Sequence, residues 1–115
     1  MRHSHLVVPY YLGASLVLTW PLARVFGTHL PSVGLPYDAL LHVFLLGWGW
    51  QGLTTSPLAV FNAPIFFPEV RTLTYMDHLL GEAVLAGPLI EVFGLAAAYN
   101  SLIILSFVAS GYFVY

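Results

Sequence analysis

All five acidic residues of the chain, Asp38, Glu69, Asp77, Glu82 and Glu91, fall between residues 24 and 95, together with His29, His42 and His78. Only 7% of the chain is charged, so this gathering of titratable groups marks where chemistry would sit. Asp38 and His42 are four apart, which puts them on one face if the segment is helical. A carboxylate beside an imidazole can orient it, or the two can share a proton or a divalent metal. The plainer reading of the pair is a helix cap and an interfacial histidine. His78 and Glu82 repeat the spacing. They would be half of a metal site, or a solvated stripe on an interfacial helix. Arg71 is within reach of an ion pair with Glu69 or Asp77, and could also hold a phosphate. Trp48 and Trp50 read as anchors at the membrane boundary rather than as a sugar platform, and Asn62 as a turn residue. No H-E-x-x-H, G-x-S-x-G or phosphate-cradling glycine loop occurs.

The elements that carry these residues follow from composition. The 115 residues are 59% hydrophobic. Soluble domains carry about 25% charged residues. A domain this small buries only about 60–70% of its surface, too little to hide so much apolar area from water. Lipid is the solvent that suits the chain. Cysteine is absent, which excludes disulfides, iron–sulfur clusters and thiol catalysis. The basic residues are Arg2, Arg24 and Arg71, with no lysine, so no basic patch exists for nucleic acid.

After a short polar start at Met1–His5 containing Arg2, residues 6–23 are uncharged and mostly apolar. As a helix they would cover about 27 Å, close to the hydrocarbon thickness of a bilayer. Pro9 falls in the first turn, where proline is tolerated, and Trp20-Pro21 marks the far end. The run is long for a cleaved signal peptide and no A-x-A-like site follows, so an uncleaved span is expected. Gly27, Pro31, Gly34 and Pro36 make a loop. A second helix is expected over about 38–54, with Tyr37 or Asp38 near its cap. Asp38, His42, Gly49 and Gly52 form a smaller or polar stripe opposite its apolar residues. Such a helix lies along the membrane interface or packs on other helices, and it is nearly long enough to span.

Residues 55–76 contain Pro57, Pro64 and Pro68, which forbid a regular helix there, while their aromatics argue against disorder. Asp77 is expected to cap a third, interfacial helix over about 78–93, stopped by Gly94, with Pro88 as a site for a kink. Residues 96–115 carry no charge and form a second spanning candidate of about 30 Å. The expected fold is an all-α membrane protein, with two transmembrane helices flanking an external segment that carries two interfacial helices. Arg2 and the amino terminus favour a cytoplasmic start, Arg24 opposes it, and residues 24–95 are assigned to the outside. The sequence stops inside the last apolar run with no polar anchor after it, so a fragment of a larger protein is expected.

Several words in the chain occur in a familiar order. Thr19-Trp20-Pro21-Leu22-Ala23 ends the first span. Asp38-Ala39-Leu40-Leu41-His42, Asn62-Ala63-Pro64-Ile65-Phe66-Phe67-Pro68, Thr72-Leu73 and Asp77-His78-Leu79-Leu80-Gly81 follow. Ala98-Tyr99-Asn100, Ser106-Phe107 and Ser110-Gly111-Tyr112 close the series. In that order and spacing they resemble the N-terminal region of bacterial multi-pass glycosyltransferases of the GT-C fold, the YfhO-like and mannosyltransferase-like membrane proteins.

The resemblance implies a protein of the bacterial cytoplasmic membrane that moves a sugar from a polyprenyl-phosphate carrier to an acceptor at the outer face. It implies an acidic residue soon after the first span, and Asp38 is the position that matches. Asp38 would then be a general base for the acceptor hydroxyl, or a ligand, with His42, of a divalent metal at the phosphate. Asp77 and His78 are auxiliary candidates. The family's later spans complete the carrier site, so these 115 residues alone are expected to be inactive. The reading from another class is a non-catalytic multi-pass membrane protein, either an assembly subunit or a transporter piece.

Overall fold

The computed structural model describes residues 4–32 and 35–114. Arg2 of the polar start, Gly34 of the first loop and Tyr115 at the end of the last helix lie outside the described residues. Those described form four α-helices and no strand: α1 (Ser4–Leu18), α2 (Tyr37–Thr55), α3 (Leu80–Phe93) and α4 (Leu95–Val114). Short 3-10 turns at Leu22–Arg24, Pro57–Ala59 and Thr72–Tyr75 punctuate the connections.

α4 is the expected helix, beginning one residue early. Its 20 residues carry no charge, and at about 1.5 Å per residue they match the hydrocarbon layer. Among the described residues it is the one helix long and apolar enough to cross a membrane.

The first expected span, 6–23, is shorter than the sequence indicated. α1 ends at Leu18 after 15 residues. Proline explains the stop. Pro21 has no N–H to give the Val17 carbonyl, and its ring disfavours helical backbone at Trp20. The Val17 carbonyl instead accepts from Trp20 N–H at 3.3 Å, and the Leu22 N–H turns to Thr19 O at 2.8 Å. The chain thus tightens into the 3-10 turn instead of continuing the helix. α1 packs antiparallel on the C-terminal half of α4. Tyr11 lies on Gly111, where a side-chain carbon would meet its ring at 2.3 Å.

α2 and α3 occupy the expected places with different caps. The residue before α2 is Pro36, with no side-chain cap, and Asp38 sits in the first turn. α3 begins at Leu80, two residues later than expected, so Asp77 does not cap it. Leu79 precedes it in left-handed backbone at φ 47°. Gly94 does stop α3, with φ 84° and its N–H on Ile90 O.

Of the stripe set opposite the apolar side of α2, Gly49 and Gly52 lie instead on its packing face, while Asp38 is exposed. Ala39, Leu45, Leu46, Gly49 and Gly52 are buried. A Cβ on Gly49 would lie 3.0 Å from the Ala83 Cβ, and one on Gly52 would lie 2.7 Å from Val60. Small residues at a contact let the backbones of neighbouring elements approach closely. Leu46, Ala83, Ala86 and Ala98 form one core among α2, α3 and the start of α4. A second core of Leu45, Ala63 and Leu73 seats the proline-rich segment on α2.

Candidate functional site

The proline-rich segment has irregular backbone, yet specific bonds hold it in place. Trp48 Nε1–H donates to Val60 O at 2.7 Å. Thr72 Oγ1 donates to Ala63 O at 3.1 Å, and Leu73 N–H to Phe61 O at 3.2 Å. Asn62 Oδ1 accepts from the Arg71 backbone N–H at 3.1 Å, which helps hold Arg71 at φ 56°. Asn62 is therefore more than a turn former, because it ties two ends of the loop together. The 3-10 turn at Thr72–Tyr75 is pinned by buried Thr72 and Leu73. It gives way to extended backbone at Met76, which carries the chain past α2.

The result is a cleft of about 540 Å³ lined by Leu41, His42 and Leu45 from α2 and by Tyr75, Met76 and Asp77 from the segment. His42 and Asp77, which are 35 positions apart, therefore share one cavity. On its other side His42 meets α4. Its Nδ1 lies 3.5 Å from the Tyr99 hydroxyl, at the long limit of a hydrogen bond, with ring centroids 6.4 Å apart. Tyr99 belongs to the second turn of α4, about 6 Å along the axis from its start. The cleft therefore sits at one end of the candidate span.

Asp38 is exposed, one turn before His42 on α2, and does not line the cleft. His78 is turned elsewhere, its ring edge-on to Phe61 at 5.6 Å. Since α3 starts at Leu80, His78 and Glu82 do not share a helical face. Glu82 is instead the acid of the first turn, where a negative charge suits the helix dipole. Among the described residues no three His, Cys, Asp or Glu side chains gather closely enough to hold an ion.

Both α2 indoles bond within the protein. Trp50 Nε1–H donates to Glu91 Oε1 at 2.7 Å, so α3 carries its second carboxylate with a partner from α2. Arg24 lies 6.0 Å from the Trp20 ring centroid, a cation–π arrangement just after α1.

Two polar residues of α4 were quoted from sequence only within the word Ala98-Tyr99-Asn100, with no role attached. Tyr99 is one. The other is Asn100, fully buried, whose Nδ2 donates to Phe26 O at 2.7 Å and to His29 O at 2.8 Å. Asn100 binds the loop after α1 to α4, while its Oδ1 is buried with no partner among the described residues. Their signal in the sequence was position. They are adjacent polar side chains in the first turns of an apolar run, where a membrane helix has little reason to keep them without a partner.

No protein-family model matches the chain, and neither does any curated protein or solved structure.

Proposed function

We propose that the chain is the front part of a multi-pass glycosyltransferase of a bacterial cytoplasmic membrane. It moves a sugar from a polyprenyl-phosphate carrier to an acceptor at the outer face. The resemblance of its ordered motifs supplies the class. The observation that carries the reading is the cleft where His42 and Asp77 meet beside Tyr99 at the end of α4. A lipid-borne donor and a water-borne acceptor can meet only near the headgroup layer, and in this reading, with α4 as a span, the cleft beside its end lies there.

In this reading α4 is one span. α1, continued by the turn to Arg24, is the other, paired lengthwise with α4 in the same hydrocarbon layer. α2 and α3 lie on the outer side. Asp38 is the residue that the resemblance assigns as base, taking the proton of the acceptor hydroxyl as the new bond forms. His42, one turn later, and Asp77 hold the acceptor. His78 plays its part by seating the segment on Phe61. A divalent ion at Asp38 would fit a donor set of one carboxylate and one imidazole only if phosphate oxygens and water filled its remaining positions.

The test uses the complete gene product in membranes. It follows labelled sugar from the polyprenyl-phosphate donor, with insertion checked in parallel. Asp38→Ala is expected to lower transfer by a factor of about 10² or more with insertion intact. Transfer at the wild-type rate would remove Asp38 from the chemistry. Absence of transfer by the intact protein with any carrier-linked sugar would favour the non-catalytic membrane protein.

A further inference from the structure

We infer that the cleft between α2 and the proline-rich segment binds a neutral, polyhydroxylated ring, a monosaccharide unit carrying no phosphate. The inference rests on the transferase reading and deepens it by assigning a chemical class to the acceptor.

Charge argues against anionic ligands, and the number of ligating groups against a bare cation. Asp77 lines the cleft, Asp38 stands one turn from His42, and neither described arginine, Arg24 or Arg71, contributes to the lining. A phosphate or carboxylate group entering there would meet negative charge without a cationic partner. A bare divalent cation would find one carboxylate and one imidazole, fewer ligands than such ions take from protein sites.

A sugar ring has an apolar C–H face and a rim of hydroxyls, and the lining offers a match to both. Tyr75 is 85% exposed, so its ring is free to be covered. An aromatic face is negative and attracts the slightly positive C–H edges of a ring laid on it. Leu41, Leu45 and Met76 supply the apolar floor. Asp77 accepts from ring hydroxyls, which are donors. His42 directs Nδ1 toward Tyr99, which leaves Nε2 for a hydroxyl of the ligand. The volume, about 540 Å³, falls within the range of small-ligand sites, roughly 300–1,000 Å³.

The experiment is ligand-observed saturation-transfer NMR on the chain in nanodiscs or in a detergent without a sugar head group. The probes are the methyl glycosides of glucose, mannose and galactose, with glucose 1-phosphate and inorganic phosphate as anionic counterparts. At least one glycoside is expected to receive saturation mainly on its ring C–H protons, and the two anions none. Tyr75→Ala and Asp77→Ala should each weaken that binding at least tenfold, while Leu58→Ala, at a fully exposed position of the same segment, should leave it unchanged. Circular dichroism identical to wild type establishes that the variants fold. Binding unchanged in Tyr75→Ala, a preference for the phosphorylated sugar, or no glycoside bound at all would each overturn the inference. The readout needs no turnover. Sugar binding that depends on Tyr75 in a protein without transferase activity would sink the transferase and leave the cleft assignment. Transferase activity with an acceptor KM unmoved by Tyr75→Ala would do the reverse.

Discussion

Replacing Gly87 by alanine isolates the close approach of α2 and α3. A Cβ at this position would lie 2.3 Å from both Cε3 and Cζ3 of Trp50. Carbon atoms rest about 3.5–4.0 Å apart, so the indole would have to withdraw by roughly 1.2 Å or more. It cannot swing away freely, because its Nε1–H is bonded to Glu91 Oε1 at 2.7 Å. Overpacking of this kind costs about 1–3 kcal/mol. Loss of the indole–carboxylate bond adds about 0.5–1 kcal/mol, a low figure because the pair is exposed. Alanine returns about 0.5–1 kcal/mol through its better helix propensity. The net expectation is destabilisation by about 1–3 kcal/mol. Gly81, in the same helix, has open space where its Cβ would go, so Gly81→Ala should stabilise by about 0.5–1 kcal/mol. The assay is reversible unfolding in mixed detergent–SDS micelles followed by far-ultraviolet circular dichroism, with tryptophan emission as a second probe of Trp50. If Gly87→Ala proved as stable as Gly81→Ala, the tight seating of Trp50 on α3 would be refuted.

Asn100→Ala removes both donors to Phe26 O and His29 O, and is expected to cost about 2 kcal/mol and to open residues 24–32 to limited proteolysis; unchanged cleavage there would contradict the tie. Trp48→Phe keeps the apolar ring but loses the bond to Val60 O, and should lower stability by about 1 kcal/mol with faster amide exchange in residues 56–79. Thr72→Val, nearly the same shape, removes the hydroxyl bond to Ala63 O and should cost about 1 kcal/mol in the same unfolding assay. The chain has no cysteine, so a single one introduced at Leu58 or Phe67, both exposed, gives a clean topology probe. Labelling of intact cells by an impermeant maleimide is expected; protection until lysis would reverse the orientation.

The helical segments were legible because they rest on local rules. An uncharged apolar run about as long as a bilayer is thick reads as α4 wherever the rest of the chain lies. Gly94 stops α3 through its own backbone freedom, and three prolines between residues 57 and 68 forbid a helix there by covalent geometry. The end of α1 was misjudged by five residues. Hydropathy does not register the missing N–H of Pro21, and composition continued to look like a span beyond the point where the backbone could remain helical. The start of α3 was misjudged because an aspartate before an apolar run is a good cap only if the backbone delivers it, and Leu79 in left-handed geometry turns the chain instead.

The sequence by itself determined the apolar run long enough to cross a membrane, the helical class and the stretch in which polar groups gather. Those follow from composition and from interactions among near neighbours along the chain. Which polar groups meet was settled only by tertiary structure. Gly49 and Gly52 looked like a polar-side stripe until Ala83 and Val60 were packed on them. Asp38 and His42 do lie one turn apart on α2, as their spacing implied, but the fold adds to His42 what spacing could not show: Tyr99, 57 residues away, and a shared cleft with Asp77. His78 was paired with Glu82 and lies against Phe61. The physical reason is that spacing reports faces only within one continuous helix. A cleft is made where separate elements converge, and that convergence is set by small-residue packing and by hydrogen bonds between residues far apart in the chain.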